Sequence, residues 1–134
     1  MIADRTLGFV PISLHHAQVF YPPGEEAQAR DFYGKALSLE EISRPETLSD
    51  RSGIWYSAPP GHVHLSADGD LGLHPRRHFA LRIDDLDAMR NRLRRRCCCG
   101  VREAHTPSNR RRRTPPEYVS DPFGNKIELD EIPE

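Results

Sequence analysis

The chain of 134 residues lacks the features that mark membrane, secreted and zinc-finger proteins. No apolar run approaches the roughly 18 residues needed to span a bilayer. The first 13 residues lack the basic start and apolar stretch of a signal peptide. The three cysteines are consecutive, Cys97 to Cys99, which suits neither a disulfide framework nor the C-x-x-C spacing of a zinc site. These absences predict a cytoplasmic protein whose thiols lie at a frayed helix end.

Excess charge of one sign is also missing overall, because the net charge is −1, but the charges are unevenly placed. Arg90 to Arg113 holds 10 arginines and one acid, Glu103, whereas the remainder has 9 basic and 19 acidic residues. Arginine runs can bind nucleic acid, yet no aromatic residues are interleaved here for base stacking. We therefore expect neither a nucleic-acid nor a membrane partner. Attraction of a small anionic substrate stays open.

The two halves of the chain repeat one predicted order of elements, βαβββ. Helices are predicted at 25–37 and 86–96 from the three- and four-residue spacing of apolar residues. Short alternating segments between Pro- and Gly-bearing turns predict the strands, which are 14–21, 40–44, 53–58, 62–67, 78–84, 101–106, 117–120 and 126–130. We expect a single domain over 1–134, with a first module at 12–67, a linker at 68–76 and a second module at 77–131.

Each half begins and ends with a residue type that binds metals. His16 is followed after 48 residues by His64, and His78 is followed after 50 residues by Glu128. Side chains of a strand alternate between its faces, and each of these four lies on the face opposite the apolar one. Imidazole and carboxylate groups suit divalent Fe, Mn, Co, Ni or Zn. The repeat predicts one divalent metal site built from two half-sites.

A simpler interpretation of these side chains is the polar face of a half-exposed sheet. It does not predict that His and Glu recur at matched positions. On the metal interpretation, His62 shares a face with His64 and could replace it. We expect His15 on the opposite face from His16, and two histidines, His74 and His105, on surface loops.

Three stretches resemble the vicinal oxygen chelate superfamily, which contains glyoxalase I, bleomycin-resistance proteins and extradiol dioxygenases. They are Leu14-His15-His16 with Asp31-Phe32-Tyr33 and Leu37, His78-Phe79-Ala80-Leu81 with Asp84-Asp85-Leu86-Asp87, and the stretch YVSDPFGNKIE from Tyr118 to Glu128. The last is the most specific, because it reads as a strand, a tight turn and a strand that carries the final metal ligand.

The resemblance implies an α+β fold of paired βαβββ modules that form an incomplete, U-shaped barrel around a divalent metal. It implies metal ligands at His16, His64, His78 and Glu128. Two positions depart from the family. Relatives often carry Glu or Gln where His64 stands, and usually Gly where Ser38 follows the helix.

The function implied is that of a metal-dependent small-molecule enzyme of lyase, isomerase or dioxygenase type. Its substrate would chelate the metal through two oxygens, and Glu128 could act as general base when it leaves the metal. The alternative is a metal-free, ligand-sequestering protein of the bleomycin-resistance type, which would hold its ligand with Trp55, Tyr56 and Phe20. A fosfomycin-type thiol transferase is disfavoured, because its substrate-binding positions are not matched. We expect a homodimer, since open sheet edges need covering and relatives dimerise.

Overall fold

The computed structural model describes residues 10–45, 53–96, 101–103 and 116–131, the range 101–103 by its backbone alone. Within these ranges the elements follow the order βαβββ twice. The first half contains β1 (His16–Tyr21), α1 (Glu26–Ala29) with a π-helical continuation (Arg30–Ala36), β2 (Glu40–Ile42), β3 (Gly53–Ala58) and β4 (Gly61–Ala67). The second half contains β5 (His78–Ile83), α2 (Leu86–Arg96), β6 (Val101–Glu103), β7 (Glu117–Ser120) and β8 (Lys126–Glu131).

Each half forms its own four-stranded mixed sheet. The strand orders are β1-β4-β3-β2 and β5-β8-β7-β6. In both sheets the first strand runs parallel to the last, and the remaining pairs are antiparallel. In the parallel pairs, His16 stands opposite His62 and His78 stands opposite Lys126. The expected α+β fold of paired modules with an open sheet is therefore confirmed.

The first helix differs from the expected regular α-helix, because most of it is π-helical. Its last bond, from Leu37 N to Phe32 O at 2.8 Å, joins residues five apart. The apolar spacing nevertheless predicts the buried face correctly. The residues on that face are buried against the sheets, and they are Ala29, Phe32, Tyr33 and Ala36.

One apolar core joins the two halves. It takes side chains from the inner faces of both sheets and from both helices, among them Tyr21, Phe32, Ile54, Leu65, Leu86, Leu93, Ile127 and Leu129. The π-helical segment and α2 contact each other within it. Because both apolar faces are used in this core, the opposite faces of the two sheets are left for polar side chains.

A buried ion pair fastens α2 to the second sheet. Arg90 donates from both Nε and Nη2 to Oε1 of Glu117, whose residue is 1% exposed, and its Nη1 lies 2.7 Å from Asp87 Oδ1. The expected cluster of Arg94 to Arg96 does lie in the last turn of α2, where cations favour the helix dipole. Cys97 to Cys99 and the second arginine run, 110–113, lie outside the described residues, as does most of the predicted strand 101–106.

The turn between β7 and β8 connects the two halves through a buried carboxylate. Asp121 accepts hydrogen bonds from the Tyr33 hydroxyl at 2.5 Å, from the Asn125 amide group at 2.8 Å and from the backbone N–H groups of Phe123 and Asn125. The Asn125 amide also donates to Phe20 O of β1 at 2.8 Å. The sequence predicts only a turn here, whereas the structure shows that the turn is hydrogen-bonded to Tyr33 and Phe20 of the first half.

None of the helices in the described part of the chain is long and apolar enough to cross a membrane.

Ser38 ends the first helix in a left-handed conformation, with φ 64°. A side chain is strained there and glycine is not. We expect Ser38→Gly to raise the free energy of unfolding by about 0.5–1 kcal/mol in denaturant titrations. Ser38→Ala retains the Cβ atom and serves as the control. Equal stability of the glycine and alanine variants would contradict this explanation.

The Tyr33–Asp121 bond should contribute measurably to stability. Tyr33→Phe leaves a buried carboxylate short of one donor, and we expect a loss of about 1–3 kcal/mol in the free energy of unfolding. Tyr56→Phe is the matched control, because this equally buried tyrosine has no hydrogen-bond partner for its hydroxyl among the described residues. Equal losses in the two variants would show that the bond to Asp121 is not the cause.

Candidate functional site

The first sheet places an imidazole between two other rings on its polar face. His64 in β4 is 4% exposed and stacks on the Trp55 ring of β3, with centroids 3.8 Å apart and planes 3° apart. The His16 ring stacks on His64 at 4.1 Å. Gln18 donates to Ser66 Oγ on the same face at 3.0 Å. The strand alternation therefore places His16 and His64 on one face, as the sequence predicts.

Two more histidines join this cluster. His62 Nδ1 lies 3.3 Å from His64 Nε2, and His15 Nδ1 lies 2.9 Å from His16 Nδ1. The expectation that His15 points to the opposite face is wrong, because β1 begins at His16 and strand alternation does not extend to His15. Gly61 permits this contact, since a Cβ atom there would lie 2.7 Å from His15 O.

Burial decides the charge of His64. Desolvation, with smaller contributions from the neighbouring imidazoles, lowers the pKa of His64 from 6.5 to about 4. The ring is therefore neutral at physiological pH. A neutral imidazole is the form that binds metals.

The second sheet places a histidine against a carboxylate. His78 Nε2 of β5 lies 3.3 Å from Glu128 Oε1 of β8. On its other side, His78 Nδ1 lies 2.8 Å from the carbonyl oxygen of Arg76, which can only accept. Nδ1 therefore carries a proton, and in the neutral ring Nε2 presents a lone pair to the carboxylate. Tyr118 of β7 donates its hydroxyl to the same Glu128 oxygen at 2.9 Å.

The two pairs occupy equivalent positions in the two sheets. His64 and Glu128 each lie two residues beyond the partner of the first histidine in the parallel pair. Each also stands opposite an aromatic residue on the neighbouring strand, Trp55 for His64 and Tyr118 for Glu128. The two halves that repeat in sequence therefore also pair their first and last strands in the same register.

Within one chain these pairs do not meet. Among the residues that the structure describes, no group of three or more His, Cys, Asp or Glu side chains could hold a metal ion. His16 and His64 are stacked, so their nitrogens do not converge on one point. His78 and Glu128 form a separate pair, and both His16 and His78 are exposed.

The structure shows contacts of two aromatic residues in the site that the sequence does not predict. Tyr118 orients Glu128, and Trp55 covers His64 instead of packing in the core. Tyr56, which the sequence predicts beside Trp55 as a ligand contact of a binding protein, is instead buried in the core, because neighbours in a strand face opposite ways. Aligning the two halves of the sequence on His64 and Glu128 would have indicated both residues, because each half places an aromatic residue opposite its last ligand-type residue.

Of the two histidines expected on surface loops, the structure describes one. His74 is exposed in the connection between the sheets, as expected, and its Nδ1 accepts a bond from Arg76 N at 3.0 Å. His105 lies outside the described residues.

The comparisons with known proteins agree on one family. The model of the Glyoxalase/Bleomycin resistance protein/Dioxygenase superfamily matches residues 13–129. A glyoxalase family protein from Bacillus anthracis is similar at 32% identity, with a TM-score of 0.80 over 92% of this chain and 97% of that one. A glyoxalase/dioxygenase from Nostoc punctiforme matches at 23% identity and TM-score 0.70, over 100% and 97% of the two chains.

A more distant structure shares the fold. It is the fosfomycin resistance protein FosX from Listeria monocytogenes, at 14% identity and TM-score 0.70 over 91% of each chain. No curated protein sequence gives a significant match.

The low pKa of His64 predicts a pH dependence of stability. As pH falls below 6.5, the unfolded chain gains a proton that the folded chain does not take up until about pH 4. The free energy of unfolding of chelator-treated protein should therefore decrease between pH 6.5 and 4, by up to ~1.4 kcal/mol per pH unit from this residue. His64→Gln should reduce this slope.

Denaturant titrations at several pH values measure the slope, with His74→Gln as the control for an exposed histidine. A slope unchanged by His64→Gln would contradict the assignment.

Proposed function

The chain belongs to the Glyoxalase/Bleomycin resistance protein/Dioxygenase superfamily, and from this premise we propose that it is a metal-dependent enzyme acting on a small molecule. The proposed ligands are His16, His64, His78 and Glu128, for divalent Fe, Mn, Co, Ni or Zn. The substrate would present two adjacent oxygens to the metal, in a reaction of lyase, isomerase or dioxygenase type.

The observation that carries the proposal is the His78–Glu128 pair. Nε2 and a carboxylate oxygen lie 3.3 Å apart. In the neutral ring Nε2 is an acceptor, and two acceptors repel unless a cation lies between them. That cation is a proton or a metal ion. The Arg76 carbonyl and the Tyr118 hydroxyl fix the two side chains from behind, which is the support that metal ligands need.

The first sheet supplies the complementary nitrogens. The neutral His64 ring is held by Trp55 and lies beside His16. The ring nitrogens of His16 and His64 lie beside those of His15 and His62, and both rings would have to rotate to bind a common metal. The four residue types therefore fit a divalent metal.

The exposure of His16 and His78 on the polar faces of the two sheets supports a homodimer. Within the described residues β1 pairs only with β4, and β5 only with β8, so each sheet has an open edge there. A two-fold contact brings the same surfaces together reciprocally. The His16–His64 face of one chain can then meet the His78–Glu128 face of its partner. The proposed dimer is cytoplasmic.

The proposed chemistry assigns a role to each of these side chains. A bound divalent metal would act as a Lewis acid on the substrate oxygens. Glu128 is the candidate base when it leaves the metal, because its free carboxylate can then take a proton from a carbon beside those oxygens. Tyr118 holds that carboxylate in a fixed direction through its 2.9 Å bond. Trp55 excludes water from one side of His64.

A second candidate is a metal-free binding protein that sequesters a ligand. It is favoured by the finding that no three ligand-type side chains converge within the described part of a single chain. Its ligand would contact Trp55 on the polar face and Phe20 at the boundary of the halves, while Tyr56 is excluded by its place in the core.

Metal content tests the proposal. Protein purified without a chelating tag should hold a near-stoichiometric divalent metal, and both His16→Ala and Glu128→Ala should weaken its binding at least about tenfold. His74→Ala controls for the loss of a histidine elsewhere. Elemental analysis measures the metal, and the fluorescence of Trp55, the chain's single tryptophan, follows its binding. No binding in excess Fe, Mn, Co, Ni or Zn would favour the sequestering protein.

The same variants decide whether the site spans two chains. His16→Ala and Glu128→Ala chains are co-expressed with two different tags and purified through both. Each heterodimer then has one intact site and one that lacks both ligands, so about half of the wild-type metal content should return. No recovery would show that the site does not form across the dimer.

A further inference from the structure

A cavity of about 230 Å³ lies between the two halves of one chain. The open edge of β1, the connection after β4, the start of β5 and the turn into β8 line it. Its apolar side includes Phe20, Leu71 and Phe79. The volume is below the 300–1,000 Å³ of sites for drug-sized ligands, so it suits a molecule of about ten non-hydrogen atoms or fewer.

The charged groups that line this cavity are cationic. Arg77 and Lys126 contribute to its wall, and no aspartate or glutamate does. Within residues 10–45, 53–96 and 116–131 neither cation forms an ion pair with a carboxylate. Arg77 Nη1 donates to the Gly72 carbonyl at 2.6 Å, which leaves its other N–H groups for a ligand.

Lys126 is held in place beside the candidate metal ligands. It stands opposite His78 in the β5–β8 register and shares a strand face with Glu128. Its ammonium lies 4.5 Å from the centre of the Tyr118 ring and 3.4 Å from the Pro75 carbonyl oxygen. A cation over an aromatic ring keeps its charge and gains orientation.

His78 connects the cavity to the proposed site. His78 is among the residues that line the cavity, and its Nε2 lies 3.3 Å from Glu128 Oε1. A substrate bound at His78 and Glu128 can therefore extend into the cavity without crossing the protein core. The cavity offers that extension an apolar wall and two positive charges that no carboxylate of the described residues pairs with.

We propose that this cavity binds the anionic end of the substrate, as a carboxylate on a short apolar chain, with Arg77 and Lys126 as the anion-binding residues. The carboxylate accepts hydrogen bonds from the guanidinium and the ammonium, and the carbon chain lies against Phe20 and Phe79. The assignment of the other end of the ligand to the metal rests on the proposed function. The cavity itself does not depend on it.

Butyrate is the probe, with 1-butanol as its uncharged counterpart. Titration of the full-length protein, as purified and after chelator treatment, is followed by the backbone amide NMR signals of Leu71, Phe79 and Asn125. Butyrate should bind saturably with a dissociation constant on the order of millimolar, equally with and without chelator. Butanol should bind at least about tenfold more weakly.

Matched substitutions locate the anion. Arg77→Gln and Lys126→Gln should each weaken butyrate binding by about tenfold. Arg76→Gln removes the same charge one residue away and Lys35→Gln removes a lysine elsewhere, since neither residue lines the cavity. Both controls should bind butyrate like the wild type.

Three results would overturn the proposal. They are the absence of saturable butyrate binding, equal binding of butanol, and an equal loss of affinity in Arg76→Gln and Arg77→Gln. Because the chelated protein is titrated, failure here leaves the metal site untouched, and failure of metal binding leaves the cavity untouched.

Discussion

The buried carboxylate of Asp121 is the interaction on which the arrangement of the two halves depends. It accepts the Tyr33 hydroxyl from the first half while it closes the turn of the second half through Asn125. Burial raises the pKa of this carboxyl, and the hydrogen bonds that it accepts oppose that shift. Because β8 begins one residue after Asn125, the same network sets the position of Glu128. A turn that looks like a simple reversal therefore aligns a candidate catalytic group.

The use of the apolar faces determines where a site can form. Both sheets and both helices direct their apolar residues into one core, so the ligand-type residues lie on the opposite sheet faces. The two ligand pairs remain apart within the described part of the chain. A chain of 134 residues can thus bury a core without completing its candidate metal centre. In the proposed homodimer, association of two chains would complete this centre, and His16 and His78, which are exposed in the single chain, would lie at the contact.

The two halves carry chemically different side chains at the same position of the strand register. The same register position carries a neutral imidazole under Trp55 in the first half and a carboxylate bonded to Tyr118 in the second half. A stacked, desolvated ring is a poor proton acceptor, as the low pKa of His64 shows. The Glu128 carboxylate instead accepts the Tyr118 hydroxyl and lies beside His78. This asymmetry of the repeat supports Glu128, rather than His64, as the candidate base of the proposed function.

The sequence by itself determined the order of elements, the two helices, the buried face of the first helix and the shared face of His16 and His64. Each follows from a local period, of two residues in strands or about 3.6 in helices, that a linear chain displays directly. It also indicated the family, through the stretch from Tyr118 to Glu128.

Only the tertiary structure decided that His15 joins the histidine cluster, that Tyr118 holds Glu128, that Asp121 joins the halves and that a cationic cavity opens beside His78. These contacts join residues far apart in sequence, or residues just outside a strand, where no local period applies. Their positions depend on how the two sheets pack, and the free energy of that packing comes from the whole core.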